Sequence, residues 1–183
     1  VKSFNSDISL LRIESEWGEV PISVIEKKQH RIFILDRHHS SSDHRTPPHM
    51  IEHRANIFAI SSCNPDIILS VNSVGTMRND FPPGDIGISK DIIDLTQFPW
   101  TFYDGDAVHS DRTNLFDYEA IECCYNTLDS LQKNVVKDLI VAQCVGPQFE
   151  TPSEIDALVK LGADVVGMTL GPEQRLISEI NTP

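Results

Sequence analysis

A chain of 183 residues has the size of one ordinary domain and can bury a substantial core. With 15 Lys+Arg against 27 Asp+Glu its net charge is −12, which argues against a nucleic-acid or anionic-membrane partner but leaves room for a small anion in a local pocket. No apolar run reaches membrane-spanning length, VKSFNSDISLL lacks signal-peptide architecture, and Cys63, Cys123, Cys124 and Cys144 have no CxxC spacing, so reduced thiols in a cytoplasmic protein are expected.

In chain order, EVPISVI (19–25) and RIFIL (31–35) read as strands, the first close to strict alternation. LDRHHSSSDHRTPPHMIEHRANI follows, and six of the seven histidines fall between His30 and His53. His49 and His53 have the i, i+4 spacing of helical metal ligands, but no HExxH motif or cysteine pair accompanies them, so no metal is expected. Arg37 and His38 follow a strand end, where an Arg fork can clamp phosphate oxygens in bidentate fashion; a solvated polar loop is the competing reading. Met50–Ser62 is helix-like, with Ile51, Ala55, Phe58 and Ala59 on one side.

DIILSV (66–71) is a continuous apolar run and reads as a central strand. It ends in SVNSVGTM (70–77), where backbone N–H groups can form an anion-binding nest and Gly75 admits close approach, or where small residues simply pack a tight turn. PPGDIGI gives a turn and a short strand, with DIIDLT after it, and FPWTFYDGDAVHSD (98–111) reads as an ordered aromatic loop. Asp117–Lys133 is an amphipathic helix through Ile121, Cys124, Leu128 and Leu131.

IVAQCV (140–145) reads as a buried strand that stops at Gly146-Pro147. Thr151, Pro152 and Glu154 then form a capping box with proline at the first helical position. Ile155, Leu158 and Val159 supply the apolar face, Gly162 ends the helix, and Ala163–Met168 is a second buried strand. Strand, helix, strand implies a right-handed crossover in a parallel sheet, whose ligands bind at the carboxyl ends of the strands. Phe149 and Glu150 follow one such end and Met168 and Thr169 the other. The fold class is α/β, with a mixed, largely parallel central sheet flanked by helices.

These stretches together resemble the trimeric purine nucleoside phosphorylase and 5′-methylthioadenosine phosphorylase family. RHH…HRTPPHxIxxRANI is similar to that family's Arg-His loop and following helix. VNSVGTM and PPGDIGISKDIIDLT resemble its Gly-rich turn and Pro-Gly-Asp strand. FYDG, GPQFETPSEI, LGADVVGMT and PE complete the series in order, from about Trp17 to Glu179. The resemblance implies a pentosyltransferase of purine salvage: phosphate attacks C1′ of a purine nucleoside to give free base and a pentose 1-phosphate. It implies no cofactor beyond phosphate as co-substrate, and a homotrimer. Arg37, His38, Ser73 through its backbone N–H and Thr169 would meet phosphate. Met168 would lie under the ribose and His44 near the sugar or its 5′ end. Phe149 would pack on the base, with Val74 and Gly75 as the opposite wall. His109 would reach the 5′ group in a neighbouring subunit. Glu150 resembles the residue that, in enzymes for 6-oxopurines, accepts from N1–H; the methylthioadenosine enzymes usually carry Ser there.

The chain departs from the family pattern at His39 for Gly, Gln148 for a common Arg, Gly171 for Val, and a loop to His44 two residues longer. The family's Gly-rich phosphate loop would precede Val1, and its strand bonding purine N7 would follow Pro183. The expectation is therefore a single domain, 1–183, short at both ends. A 6-oxopurine or 5′-methylthioinosine substrate is favoured; a methylthioadenosine phosphorylase, or a degenerate member that binds without turnover, stays open.

Overall fold

The computed structural model describes residues 8–131 and 133–180. Two sheets carry the fold. The first is an antiparallel meander of β1 (Ile8–Ser15), β2 (Gly18–Lys27) and β3 (His30–Leu35). β2 is the strand that the alternation marked. Val20, Ile22 and Val24 point one way and meet Ala55 and Ala59 of α1 (His53–Ser62) in the first core cluster. The second sheet has the order β4-β7-β6-β5, from β4 (Gly75–Thr76), β5 (Ile86–Asp94), β6 (Val135–Gln143) and β7 (Val165–Gly167). β5, β6 and β7 run parallel, and β4 pairs antiparallel with β7. The expected mixed α/β class is what forms, with the parallel strands gathered in this second sheet.

PPGDIGI and DIIDLT do not make separate elements. They fuse into the single strand β5, whose register against β6 shifts twice, between Gly87 and Ser89 and again before Asp91. α2 (Tyr118–Ser130) starts after Asp117, whose carboxylate accepts from Ala120 N–H. α3 (Pro152–Lys160) carries the predicted capping box: Glu154 N–H donates to Thr151 Oγ1, and Thr151 N–H to Glu154 Oε2 at 2.7 Å. Gly162 follows at φ +95°, the left-handed conformation that ends the helix. Ile155 and Leu158 pack on Ala142, Ala163 and Val166, whereas Val159 is exposed, because a nine-residue helix on the face of β6 and β7 buries only a narrow stripe.

Two sequence expectations fail. DIILSV is not a strand: among the described residues no ladder engages it, and Ile67, Leu69 and Val71 are exposed. It runs extended beside β3 across a groove of about 520 Å³, to which Ile32–Leu35 contribute one wall. An apolar run makes a strand only where neighbouring backbones complete its hydrogen bonds. The helix of Met50–Ser62 also begins late. Pro48–Met50 forms a 3-10 turn, Glu52 caps Arg54 N–H, and α1 starts at His53. Phe58 then faces the rim and is part-exposed, with its ring against Trp17.

The aromatic loop is ordered by α1. Trp100 stands edge-on to His53 at 5.0 Å, Phe102 packs on Trp17 at 5.3 Å, and Arg54 lies within 6.0 Å of both indoles. No described helix is long and apolar enough to cross a membrane, and all four cysteines are free.

A last helix, α4 (Leu170–Ile177), fits tightly against the parallel sheet. Buried Gln143 at the end of β6 accepts from Gly171 N–H at 2.8 Å and so satisfies one of the helix's open donors. A Cβ at Gly171 would lie 2.5 Å from Gln143 Cγ and 2.9 Å from Asp94 Oδ2. Glycine at 171 leaves the space that the Gln143 side chain occupies. Gly171→Val should therefore cost about 1–3 kcal/mol in denaturant unfolding. Adding Gln143→Ala should recover part of the loss, a coupling of about 0.5 kcal/mol or more; strict additivity would contradict the packing argument.

Candidate active site

The site lies where β6 and β7 end. Cys144 N–H donates to Gly167 O at 2.8 Å, so the two strand ends stay paired to their last residues. Gly146 then turns at φ +70°. A Cβ there would meet Met168 Sδ at 2.5 Å. The Gly-Pro stop is thus a close approach: Met168, leaving β7, fills the space that a side chain at 146 would need. Met168 is half-buried and Thr169, beside it, is buried. Val74 packs on Gly167, where a Cβ would stand 3.5 Å from Val74 Cγ1, and Gly75 crosses Val166 within β4. Ser73 is exposed at the same edge.

Glu150 is half-buried. Burial, then the hydrogen bond to Glu150, pushes the Cys144 thiol up to about 12, so Cys144 is a neutral S–H next to the carboxylate. Phe149 departs from expectation. It is 89% exposed and covers nothing among the described residues. His44 and His109 are exposed as well, and no side-chain hydrogen bond ties either to the strand-end cluster.

Arg37 shows the largest difference from its expected role. Its Nε–H donates to Glu173 Oε1 at 2.6 Å and Nη2 to Glu173 Oε2 at 3.2 Å. Nη2 also donates to Ser70 Oγ at 2.9 Å, and Nη1 to Val71 O at 2.8 Å. Four of the five guanidinium hydrogens are engaged, so the fork clamps a buried carboxylate and one Nη1 hydrogen is left for a ligand. A bidentate phosphate clamp from Arg37 does not fit this arrangement. His38 Nδ1 lies 2.7 Å from Thr46 O, a carbonyl that can only accept. Its Nε2 therefore donates outward only when the ring is protonated. Thr169 Oγ1 donates to Asn72 Oδ1 at 2.7 Å.

The residues that organise this cluster are on α4. Besides Glu173, Gln174 Oε1 accepts from both Nε (3.0 Å) and Nη2 of Arg112, and Arg175 Nε donates to Asp94 Oδ2 at the end of β5. Burial pushes the Asp94 carboxyl up, but its bonds from Arg175 and Thr96 outweigh this and hold it below the usual range. Beyond the helix, Glu179 accepts from Thr101 Oγ1 at 2.7 Å and Phe102 N–H at 2.8 Å, which fastens the aromatic loop. In the sequence Glu173, Gln174 and Arg175 are simply three consecutive polar residues, with no local pattern that marks their distant partners.

His49 lies exposed on the 3-10 turn and His53 is buried at the start of α1, so the two do not share a helical face. Among the described residues no three His, Cys, Asp or Glu side chains group as metal ligands. His53 is instead a buried neutral imidazole whose Nδ1 has no partner. Burial first, then the charges of Arg37 and His38, holds its pKa down at about 3 against 6.5. Between those values the unfolded chain binds a proton that the folded one refuses, so stability is full above pH 6.5 and is lost as pH falls toward 3. From pH 7 to pH 5 the parent should lose about 2 kcal/mol more than a His53→Phe variant, read as denaturant midpoints. Equal losses would show that His53 titrates normally.

The family described as the phosphorylase superfamily matches residues 12–183 through its sequence model. The chain is 38% identical over 166 residues to a probable S-methyl-5′-thioinosine phosphorylase of Methanopyrus kandleri, covering 90% of this chain and 64% of that protein. It is 36% identical over 177 residues to a probable 6-oxopurine nucleoside phosphorylase of Thermococcus kodakarensis, covering 92% and 66%. The chain thus spans somewhat under two thirds of the length of these curated relatives. Among solved structures, a methylthioadenosine phosphorylase from an antarctic soil metagenomic library superposes with a TM-score of 0.86 at 28% identity, over 93% of this chain and 61% of that one.

Proposed function

The chain belongs to the phosphorylase superfamily, and from that premise we propose that it serves phosphorolysis of a purine nucleoside to free base and pentose 1-phosphate. The observation that carries this reading is the cluster at the ends of β6 and β7, where Glu150, Met168 and Thr169 stand with Arg37 and the 70–75 segment. Such a reaction needs a clamp for the anion, a platform for the sugar and a partner for the base, all held before reaction. Phosphate would meet the remaining Nη1–H of Arg37, His38 Nε2 and the Ser73 N–H, while the Thr169 hydroxyl, whose hydrogen goes to Asn72, would accept from a protonated phosphate oxygen. Met168 supplies the thioether platform under the ribose, and Val74 and Gly75 a wall for the base. Phe149, His44 and His109 would contribute only from an assembled site, as a homotrimer provides, in which Phe149 and the loop around His109 are covered. The compartment consistent with the free thiols is the cytoplasm.

Glu150 selects the base class. A half-buried carboxylate accepts a charge-assisted bond from N1–H of a 6-oxopurine, and would face the N1 lone pair of adenine at a cost of a few kcal/mol. The names of both relatives, thioinosine and 6-oxopurine phosphorylases, favour the same class. A 5′-methylthioadenosine substrate is the second reading, favoured by the name of the structural neighbour. His44 and His109 are compatible with either a 5′-hydroxyl or a 5′-methylthio group.

The test is phosphate-dependent release of hypoxanthine from inosine or its 5′-methylthio analogue, compared with the adenosine series. Glu150→Gln should lower kcat/KM for the 6-oxopurine about ten- to hundredfold, since a bond of about 1.5–3 kcal/mol is weakened. The 6-aminopurine should lose much less, because its N1 can accept from the new amide. Equal loss in both classes would make Glu150 a structural residue at the start of α3. Sedimentation should give a trimer at micromolar concentration, and a monomer alone would contradict the assembly.

A further inference from the structure

We propose that Glu173 is a positioning residue for phosphate recognition, acting with Ser70 and Asn72 through one chain of hydrogen bonds; this rests on the phosphorolysis reading. The Glu173 side chain is 7% exposed and that of Arg37 17%. Both carboxylate oxygens take the guanidinium fork, and Ser70 Oγ donates to Oε2. Ser70 Oγ in turn accepts from Arg37 Nη2 and from Asn72 Nδ2, each at 2.9 Å. Asn72 Oδ1 takes the Thr169 hydroxyl. Two groups assigned to phosphate, 132 positions apart in the sequence, are therefore set by one buried carboxylate through a serine and an amide.

The chemistry of the chain explains its composition. A lone buried carboxylate is unfavourable, and a bidentate Arg partner with an added hydroxyl donor satisfies it. The same arrangement removes the rotational freedom of Arg37. Phosphate then meets an oriented N–H on a neutralised ion pair, not a mobile cation. Glu173 does not touch the substrate. Its effect reaches the anion through the direction of Arg37 and, by way of Ser70 and Asn72, of the Thr169 hydroxyl. No family role was attached to Ser70 or Glu173 on the sequence alone, since their partners lie 103 positions apart.

Ser70→Ala tests the proposal directly, because it leaves both charges in place and loosens only the hydrogen-bond chain. The phosphate KM should rise about three- to tenfold, since the bonds of Ser70 to Arg37 and Glu173 are lost while the ion pair itself remains, and the nucleoside KM should stay within about twofold. Glu173→Gln should lower kcat/KM for phosphate about tenfold or more, as a charge-assisted pair is lost. Phosphate protection against thermal unfolding, measured without nucleoside, should weaken in the same order. If both variants keep the parental phosphate KM, or move phosphate and nucleoside KM together, Glu173 is a structural ion-pair residue and the proposal is wrong. A gain in phosphate affinity in Glu173→Gln would also overturn it, since charge and not position would then control binding. A parent protein that shows neither phosphate protection nor phosphorolysis would bring down the underlying reading, an outcome separate from these.

Discussion

The buried ion pair between Arg37 and Glu173 is the constraint around which the rest is arranged. It joins the end of β3 to α4, and Ser70 and Val71 O complete the shell of the guanidinium. Removing one partner of such a pair strands a charge in a poorly solvated place, at a cost of about 3–5 kcal/mol, so the contact defines one way for the two sheets to meet. The antiparallel meander and the parallel sheet otherwise have separate apolar clusters, one around Val20 and Ile22 and the others around Val141 and Val166.

α4 extends the same logic. Three consecutive residues, Glu173, Gln174 and Arg175, bind three different segments: the β3 end, the loop at Arg112 and the β5 end at Asp94. Its N-terminus is held by Gln143 from the end of β6. A short helix that bonds the ends of β3, β5 and β6 keeps those ends in register without a large hydrophobic area. That is the requirement of a site whose parts come from several loops, where a displacement of about 1 Å is costly. Phe149 stands exposed beside this ordered cluster.

Local signals were legible and cooperative ones were not. The capping box at Thr151, the Gly162 stop and the alternation in β2 each depend on a few neighbouring residues, and the structure reproduces them. The Gly146 turn was visible as a break, though its cause, contact with Met168, needed coordinates. DIILSV failed because strand formation depends on partners and not on the apolar run itself. The strand-end position of Arg37 suggested a fork aimed at an anion, but a carboxylate 136 positions away holds it. Glu173 and Ser70 were missed as a pair for the same reason: long-range polar contacts leave no local pattern. The order of the aromatic loop was legible, but its cause, the Trp100–His53 contact, joins residues far apart in the sequence.

Phosphorus NMR of the protein mixed with inosine and inorganic phosphate tests the central claim most directly. Phosphorolysis predicts that the phosphate signal falls and a pentose 1-phosphate ester signal rises in step with free hypoxanthine, one for one. Release of hypoxanthine with an unchanged phosphate signal would mean that water attacks C1′, and no conversion under saturating phosphate would mean that the strand-end cluster is not a phosphorylase site.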